Sequence, residues 1–228
     1  MESGTAISTD FATRGAELFP SVLSEHELQL VEAAASDFST ASAGTRFRDL
    51  SSLRPLVAAD GTIGSIAAHV LGNTCQPVRA ILFDKNRETN WGLGWHQDRA
   101  IAVAARIETD GFDRWTVKDG IPHVEPPFDI IEAMVTLRVH LDDVDENNAP
   151  LLIAPGSHRL GRLTEDRLEE VVIACGSLAC FASRGDIWAN ATSIVHASAP
   201  AREPGRRRIL QIDYSAQNLP APLSWMTL

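Results

Sequence analysis

The chain has 228 residues, with 20 basic and 30 acidic side chains and a formal net charge of −10. This charge repels phosphate backbones and anionic membrane surfaces, so we expect neither a nucleic acid nor a membrane as a partner. The length fits a single domain over residues 1–228 that acts on a small molecule, and it leaves the oligomeric state open.

The cysteines and the N-terminal residues bear on the cellular compartment. The three cysteines form an odd set without Cys-x-x-Cys spacing, which indicates neither a disulfide framework nor a zinc knuckle. The N-terminal residues lack the basic and apolar stretches of a secretory signal, and no apolar run is long enough to span a bilayer. We therefore expect a cytoplasmic protein.

Helical signals dominate the first third of the chain. Ser24 followed by Glu27 is the pattern of a capping box, and apolar residues then recur at helical spacing. A second helical pattern ends at Gly72, a residue type that commonly follows the last helical turn. The sequence predicts helices over residues 25–37, 62–71 and, much later, about 164–172, and thus a helical N-terminal part of about residues 1–74.

From about residue 75 to 217 the sequence changes to short runs of β-branched and aromatic residues broken by Gly, Pro and Asn. This texture is typical of an antiparallel sandwich or barrel. Gly111–Phe128 is predicted to be a long loop between strands, and long loops in compact domains often act as lids. The predicted strands cover residues 78–83, 94–98, 101–106, 131–141, 151–154, 177–181, 185–189, 194–196 and 207–214.

The most informative motif is His96-x-Asp98, within the segment Trp95-His96-Gln97-Asp98. Alternate residues of a strand share a face, so this pair directs an imidazole and a carboxylate to one point. Taken alone, the pair also fits an ordinary surface strand. One more histidine from a distant strand would complete a 2-His-1-carboxylate iron site, and His196 is our candidate.

A candidate anion anchor follows the distal histidine. Arg207 stands eleven residues beyond His196, in the run Arg206-Arg207-Arg208. A guanidinium near a metal can hold a terminal carboxylate with two hydrogen bonds. Because strand side chains alternate, Arg206 and Arg208 should lie on the face opposite Arg207, and a register slip of one residue would exchange the anchor.

These residues and their spacing resemble a known family. The ordered set resembles the phytanoyl-CoA dioxygenase family of Fe(II)/2-oxoglutarate-dependent oxygenases over roughly residues 78–216. It comprises Trp95-His96-Gln97-Asp98, Pro155-Gly156-Ser157-His158-Arg159, Gly185-Asp186-Ile187, His196-Ala197-Ser198 and Arg207.

The resemblance implies a mainly β fold, a double-stranded β-helix (cupin-like jelly roll) with helices packed outside it. It also implies an enzyme that uses Fe(II), 2-oxoglutarate and O₂. By position, His96, Asp98 and His196 would bind iron, and Arg207 would bind the distal carboxylate of 2-oxoglutarate. Ser198 would assist Arg207, and Lys85 matches a recurrent family lysine, although a solvent-exposed loop lysine is the alternative for Lys85.

Two features qualify the resemblance. The family usually has Asn-Gly-Pro-Leu where this chain has Asn148-Ala149-Pro150-Leu151, and we expect this exchange of glycine for alanine to alter only local turn geometry. Halogenating relatives lack the carboxylate ligand, so the presence of Asp98 argues against halogenation. The resemblance therefore predicts a hydroxylase, with desaturation or ring chemistry as further outcomes.

The substrate contacts are less defined. In the strand over residues 134–141, Thr136, Arg138 and His140 alternate with apolar residues and could line the barrel mouth. Arg138 with Lys118 and His123 would suit an anionic substrate, although an outward arginine and ordinary loop residues explain the same pattern. Trp95 and Trp115 are candidates for either packing or substrate stacking.

A non-catalytic alternative remains at this point. A cupin-like protein could bind or sense a metal through His96, Asp98 and His196 without any turnover. Arg207 distinguishes the two hypotheses, because an anchor for a co-substrate has no purpose in a simple metal binder. His158 we expect to stabilise a turn instead of binding a metal.

Overall fold

The computed structural model describes residues 9–36, 38, 44–203 and 205–228. The N-terminal part contains helices and two strands, and the rest is mainly strands. In chain order the first elements are α1 (Thr9–Arg14), β1 (Ala16–Phe19), α2 (Glu25–Ala34), β2 (Gly44–Arg46), α3 (Arg54–Val57) and α4 (Gly64–Leu71).

The predicted N-terminal helices are present with shifted ends. The Ser24 side chain and Glu27 form both hydrogen bonds of a capping box at the start of α2. This helix ends before the predicted limit, Asp37, which lies outside the described residues. Gly72 follows α4 with φ 87°, a conformation that glycine adopts at little cost. The structure adds β1 and β2 to the part that we predicted as helical.

The second part builds three antiparallel sheets. Its elements are β3 (Gln76–Lys85), β4 (Leu93–His96), β5 (Ile101–Ala102), β6 (Asp113–Lys118), β7 (Ile121–Glu125), α5 (Phe128–Glu132), β8 (Met134–His140), β9 (Leu151–Ile153), α6 (Leu168–Cys175), β10 (Leu178–Cys180), β11 (Ile187–Ala191), β12 (His196–Ser198) and β13 (Arg207–Ser215). The sheets have the orders β1-β11-β8-β13-β3-β2, β10-β9-β12-β4 and β5-β7-β6.

Two predictions between β5 and β8 are wrong. The predicted loop Gly111–Phe128 contains the hairpin of β6 and β7, which pairs with β5 to form the third sheet. The predicted strand over residues 131–141 begins at Met134, because the preceding residues form α5. Short, partly exposed strands give too few alternating residues for the sequence pattern to distinguish them from a loop.

The six-stranded sheet has two different faces. Its outer face carries apolar side chains such as Leu137, Leu210 and Tyr214, and these pack in one cluster with residues of α2, α3 and α4. Its inner face carries the alternate residues, including Arg138, Gln211 and other buried polar side chains. The alternation predicted for β8 is therefore confirmed.

None of the helices in the described part of the chain is long and apolar enough to cross a lipid bilayer.

Candidate active site

Two paired strands of the four-stranded sheet bring the predicted metal ligands together. His96 on β4 is the direct cross-strand partner of His196 on β12, and their ring centroids are 4.2 Å apart. Asp98 follows His96 by two residues. The three side chains offer ligand atoms that all lie within 4.8 Å of one another.

The tautomers of both histidines suit metal binding. Nδ1 of His96 lies 2.8 Å from the Gly94 carbonyl oxygen, and Nδ1 of His196 lies 2.9 Å from that of Ile194. A carbonyl oxygen can only accept a hydrogen bond, so each Nδ1 carries the proton and donates it. Each Nε2 is then left with a lone pair, and this is the arrangement that hydrogen bonds around a metal-binding histidine normally enforce.

An arginine that the sequence reasoning missed orients the carboxylate ligand. Arg79 of β3 donates to Asp98 at 3.2 Å and also pairs with the buried Asp213 of β13. Burial alone would raise the pKa of Asp98, but the Arg79 guanidinium lowers it and the net shift is downward, so Asp98 is ionised at neutral pH. Burial, followed by His96, lowers the pKa of His196 to about 4, so its imidazole is neutral.

The donor set therefore fits a divalent metal ion. Two imidazoles and one carboxylate on one face form the 2-His-1-carboxylate arrangement, which leaves coordination positions free for other ligands. His158 lies in a short 3₁₀ helix over Ser157–Arg159, outside this group, as expected.

Comparison with known proteins identifies the family. A family model described as phytanoyl-CoA dioxygenase matches residues 25–209, which is most of the chain. The chain belongs to the phytanoyl-CoA dioxygenase family. The resemblance seen in the sequence is confirmed, and with it the prediction of a 2-oxoglutarate-dependent non-haem iron oxygenase.

Solved structures of similar fold include those of EctD, HygX and SnoN. EctD from S. alaskensis is 18% identical with a TM-score of 0.68, over 95% of this chain and 80% of EctD. HygX from Streptomyces hygroscopicus is 18% identical with a TM-score of 0.61, over 90% and 84% of the two chains. The epimerase SnoN from nogalamycin biosynthesis is 17% identical with a TM-score of 0.65, over 96% and 91%.

At this level of identity the similarity establishes the shared fold, so the predicted double-stranded β-helix is confirmed for this member of the phytanoyl-CoA dioxygenase family. Among curated protein sequences, none matches the chain significantly.

A second group of predicted residues lies along the inner face of the large sheet. Lys85 on β3 is the cross-strand partner of Arg207 on β13, and both side chains are 2% exposed. Lys85 donates to the Ser198 hydroxyl at 2.9 Å and to the Ala199 carbonyl oxygen at 3.2 Å. Arg207 donates to the Ala149 carbonyl oxygen.

The neighbours of Arg207 lie on the opposite face, as strand alternation predicts. Arg208 forms two hydrogen bonds with Asp142 and an ion pair with Glu32, whereas Arg206 pairs with Asp84 near the surface. The register of β13 therefore directs Arg207, and not an adjacent arginine, into the barrel.

The turn that departs from the family pattern contacts this pocket. Ala149 has φ 53°, in the left-handed region that favours glycine. A side chain with a Cβ atom is strained there by roughly 1–2 kcal/mol, so alanine at this position carries backbone strain that glycine would avoid. Ala149 also supplies the carbonyl oxygen that accepts from Arg207.

Arg138 and His140, which we predicted to line the barrel mouth, are both buried on β8. Arg138 lines a small cavity together with two of the metal ligands, Asp98 and His196. Burial, followed by Arg138 and Arg207, lowers the pKa of His140 to about 3, and neither ring nitrogen has a partner within the described ranges. The cavity is lined by Asp98, Thr136, Arg138, Leu151, Asn190, Ala191, Thr192, Ile194, His196 and Gln211.

The hairpin of β6 and β7 carries two further candidates. Its tip is attached to β2, because Arg46 donates to the Asp119 carboxylate at 3.1 Å. Burial, followed by Arg46 and Arg79, lowers the pKa of Lys118, whereas Asp98 raises it. Lys118 is an exposed residue of this hairpin, and Asp98 is the one metal ligand that influences its pKa. The sequence reasoning also missed Arg46, because β2 is only three residues long and shows no strand pattern.

His123 and the two tryptophans are placed as follows. His123 is fully buried, its Nδ1 donates to the Ile121 carbonyl oxygen at 2.9 Å, and burial chiefly lowers its pKa to about 4. Trp95 packs with Leu168 and other apolar residues near α6, on the face of β4 opposite His96. Trp115 is half-buried beneath Arg106, whose guanidinium lies 5.5 Å from the ring centroid.

Proposed function

We propose that this protein is an Fe(II)- and 2-oxoglutarate-dependent dioxygenase that hydroxylates a small organic metabolite and releases succinate and CO₂. The observation that carries the proposal is a buried group of three cations, Lys85, Arg138 and Arg207, beside the three metal ligands. Each of the three side chains is at least 92% buried, and none forms an ion pair within the part of the chain that the structure describes.

The positive charge of these three buried side chains favours binding of an anionic ligand. Desolvating a cation without a counterion costs several kcal/mol, and proteins normally pair such groups. Here burial, followed by Arg207 and Arg138, lowers the pKa of Lys85 to about 7. Burial, followed by Arg138, also lowers the pKa of Arg207. A dicarboxylate adjacent to the metal would supply the missing negative charge.

Each residue then has a defined task. His96, Asp98 and His196 would hold Fe(II), with Arg79 fixing the carboxylate. Arg207, Lys85 and the Ser198 hydroxyl would bind the distal carboxylate of 2-oxoglutarate. When bound, Fe(II) with 2-oxoglutarate and O₂ supplies the oxidation that converts a substrate C–H group to C–OH, with succinate and CO₂ as the other products.

The similar structures support this choice of co-substrate. EctD has been solved with 2-oxoglutarate and 5-hydroxyectoine, and HygX with nickel, 2-oxoglutarate and hygromycin B. Both proteins share the fold of this chain. The alternative, a metal-binding or sensing protein without turnover, gives no reason for three unpaired cations inside the barrel.

The substrate that we propose is a small anionic molecule. Lys118 has no hydrogen-bond or ion-pair partner among the described residues, and it lies within electrostatic range of Asp98 and Arg79. Arg46 adds a second cation at the same hairpin tip, although Asp119 partly neutralises it. His123, Trp95 and Trp115 remain weaker candidates for substrate contacts, because packing explains their positions as well.

Two measurements test the proposed function. Anaerobic addition of Fe(II) and 2-oxoglutarate should give a weak visible charge-transfer band that is missing with His196→Ala. In air, a screen of small anionic and neutral metabolites should find one that stimulates succinate release and gains one oxygen atom. A colourless complex with iron bound, or iron binding without any affinity for 2-oxoglutarate, would support the metal-binding alternative instead.

A further inference from the structure

Arg138 occupies a position that the proposed binding of the distal carboxylate does not use. It lies on β8, opposite Gln211 of β13, and it lines the small cavity that Asp98 and His196 also line. Lys85 and Arg207 stand at the far end of the same inner face, four residues along β13 from Gln211. Of the three cations, Arg138 is the one that shares a cavity with the metal ligands Asp98 and His196, and it lowers the pKa of Asp98.

The guanidinium of Arg138 is incompletely satisfied. Nη1 donates to the Gln211 side-chain oxygen at 2.6 Å, and the group lies 5.6 Å from the ring centroid of Phe83. Its buried Nε atom has no partner in the described part of the chain. Besides the buried Cys180, the acidic groups that influence the pKa of Arg138 are Asp98 and Asp213, and both of these are ion-paired with Arg79. A buried arginine with five donors and one accepting partner is poorly explained by packing.

The spacing of the cations matches a molecule with a carboxylate at each end. Along β13, Arg207 lies four residues from Gln211, the cross-strand partner of Arg138, and four residues of strand span about 13 Å between Cα atoms. Extended arginine side chains can close most of this distance. The charges also face a common interior, because Arg138 lowers the pKa of both Lys85 and Arg207. One dianion could therefore contact Arg207 with one end and Arg138 with the other.

We propose that Arg138 is the second carboxylate-binding residue of the co-substrate pocket and holds the carboxylate of 2-oxoglutarate next to the keto group, while Arg207 and Lys85 hold the distal one. This inference rests on the proposed function. It assigns Arg138 to the co-substrate and not to the substrate. Strand register fixes the separation between Arg138 and the pair Arg207 and Lys85, and this separation sets the length of the co-substrate that the pocket accepts.

The test compares two 2-oxo acids in calorimetric titrations of the full-length chain loaded with Mn²⁺, which prevents turnover. Pyruvate shares the 2-oxo carboxylate with 2-oxoglutarate but lacks the distal carboxylate. We expect Arg138→Gln to weaken the binding of both acids about tenfold or more, as loss of a charged hydrogen bond does. Arg207→Gln should weaken only 2-oxoglutarate and leave the affinity for pyruvate within about twofold. The control, Arg208→Gln, should affect neither acid.

A stability measurement separates a binding role from a structural one. Because Arg138 is buried without a counterion, Arg138→Met should leave the melting temperature of the ligand-free protein unchanged or raise it by about 2–4 °C. A structural arginine would lower the melting temperature when removed. Arg138→Lys, which keeps the charge, should restore part of the affinity for both acids.

Three results would overturn the inference. Arg138→Gln could bind pyruvate as tightly as the unaltered protein, Arg138→Gln could weaken only the organic substrate, or all Arg138 variants could unfold, which would assign Arg138 to the fold. Failure of the proposed function gives a different result, in which the unaltered Mn²⁺-loaded protein binds neither acid.

Discussion

The two faces of the six-stranded sheet differ in how most of their arginines are paired, although Arg79 on the inner face does pair with Asp98 and Asp213. On the outer face, Arg208 is surrounded by Asp142 and Glu32, and the apolar residues beside it pack against the helices. On the inner face, Arg207 and Arg138 are buried without any ion pair in the described structure. Paired charges and apolar packing stabilise the fold, whereas unpaired buried charges reduce stability and are retained where a ligand neutralises them.

Arg207 and Arg208 show that this contrast depends only on strand register. They are neighbours in the sequence, yet their side chains lie on opposite sides of one sheet. Substitutions on the inner face should therefore change binding more than stability, and substitutions on the outer face should do the reverse.

The largest effect is expected at the metal ligands of the inner cavity. His196→Ala removes one of the two imidazoles from the 2-His-1-carboxylate group, and we expect complete loss of Fe(II) retention with an unchanged circular dichroism spectrum. Iron content after gel filtration measures this effect. His26→Ala, on the exposed surface of α2, is the matched control and should retain iron. Iron content equal to that of the unaltered protein would remove His196 from the site.

The metal site could be predicted from sequence because it depends on short-range rules. The i, i+2 spacing of His96 and Asp98 follows from strand alternation, whereas His196 and Arg207 were identified by the order and spacing of the family pattern. The same rules predicted the capping box at Ser24. These features need no knowledge of which strands are neighbours.

Features that depend on distant contacts could not be predicted. Arg79 fixes Asp98 only because β3 pairs with β13 across more than a hundred residues, which places Asp213 on its other side. The hairpin of β6 and β7 is held by pairing with β5 and by Arg46 of β2, and its exposed residues carry no clear alternation. Burial of Arg138 likewise follows from closure of the barrel and not from its local sequence.

A second effect is expected from the charge of Lys85. The pKa of this amine in the ligand-free protein is about 7, mainly because of burial, compared with a usual value of 10.5. The amine is thus largely uncharged above pH 7, but a bound carboxylate favours the charged form. Binding of 2-oxoglutarate should therefore take up a proton, and affinity should fall by up to about tenfold per pH unit from pH 7.5 to 9.

Calorimetry in buffers of different ionisation enthalpy measures this proton uptake directly. Lys85→Met should bind more weakly at pH 7 and lose most of the pH dependence. Arg206→Gln, a surface variant directly before the neighbouring strand β13, should keep it, because the guanidinium of Arg206 is half exposed and pairs with Asp84. Equal slopes for Lys85→Met and the unaltered protein would show that another group takes up the proton.

The smallest effect is expected on the outer face, and it concerns stability. Arg208→Gln removes a bidentate pair with Asp142 and a contact with Glu32 that are only partly exposed, so unfolding should cost about 1–2 kcal/mol less. Arg207→Gln removes a charge that has no counterion and should leave the free energy of unfolding unchanged or slightly higher. Urea titrations at constant m-value measure both effects. If Arg207→Gln destabilised the ligand-free protein more than Arg208→Gln, the unpaired arginines of the inner face would stabilise the fold. The proposed difference between an inner face that binds ligands and an outer face that stabilises the fold would then be wrong.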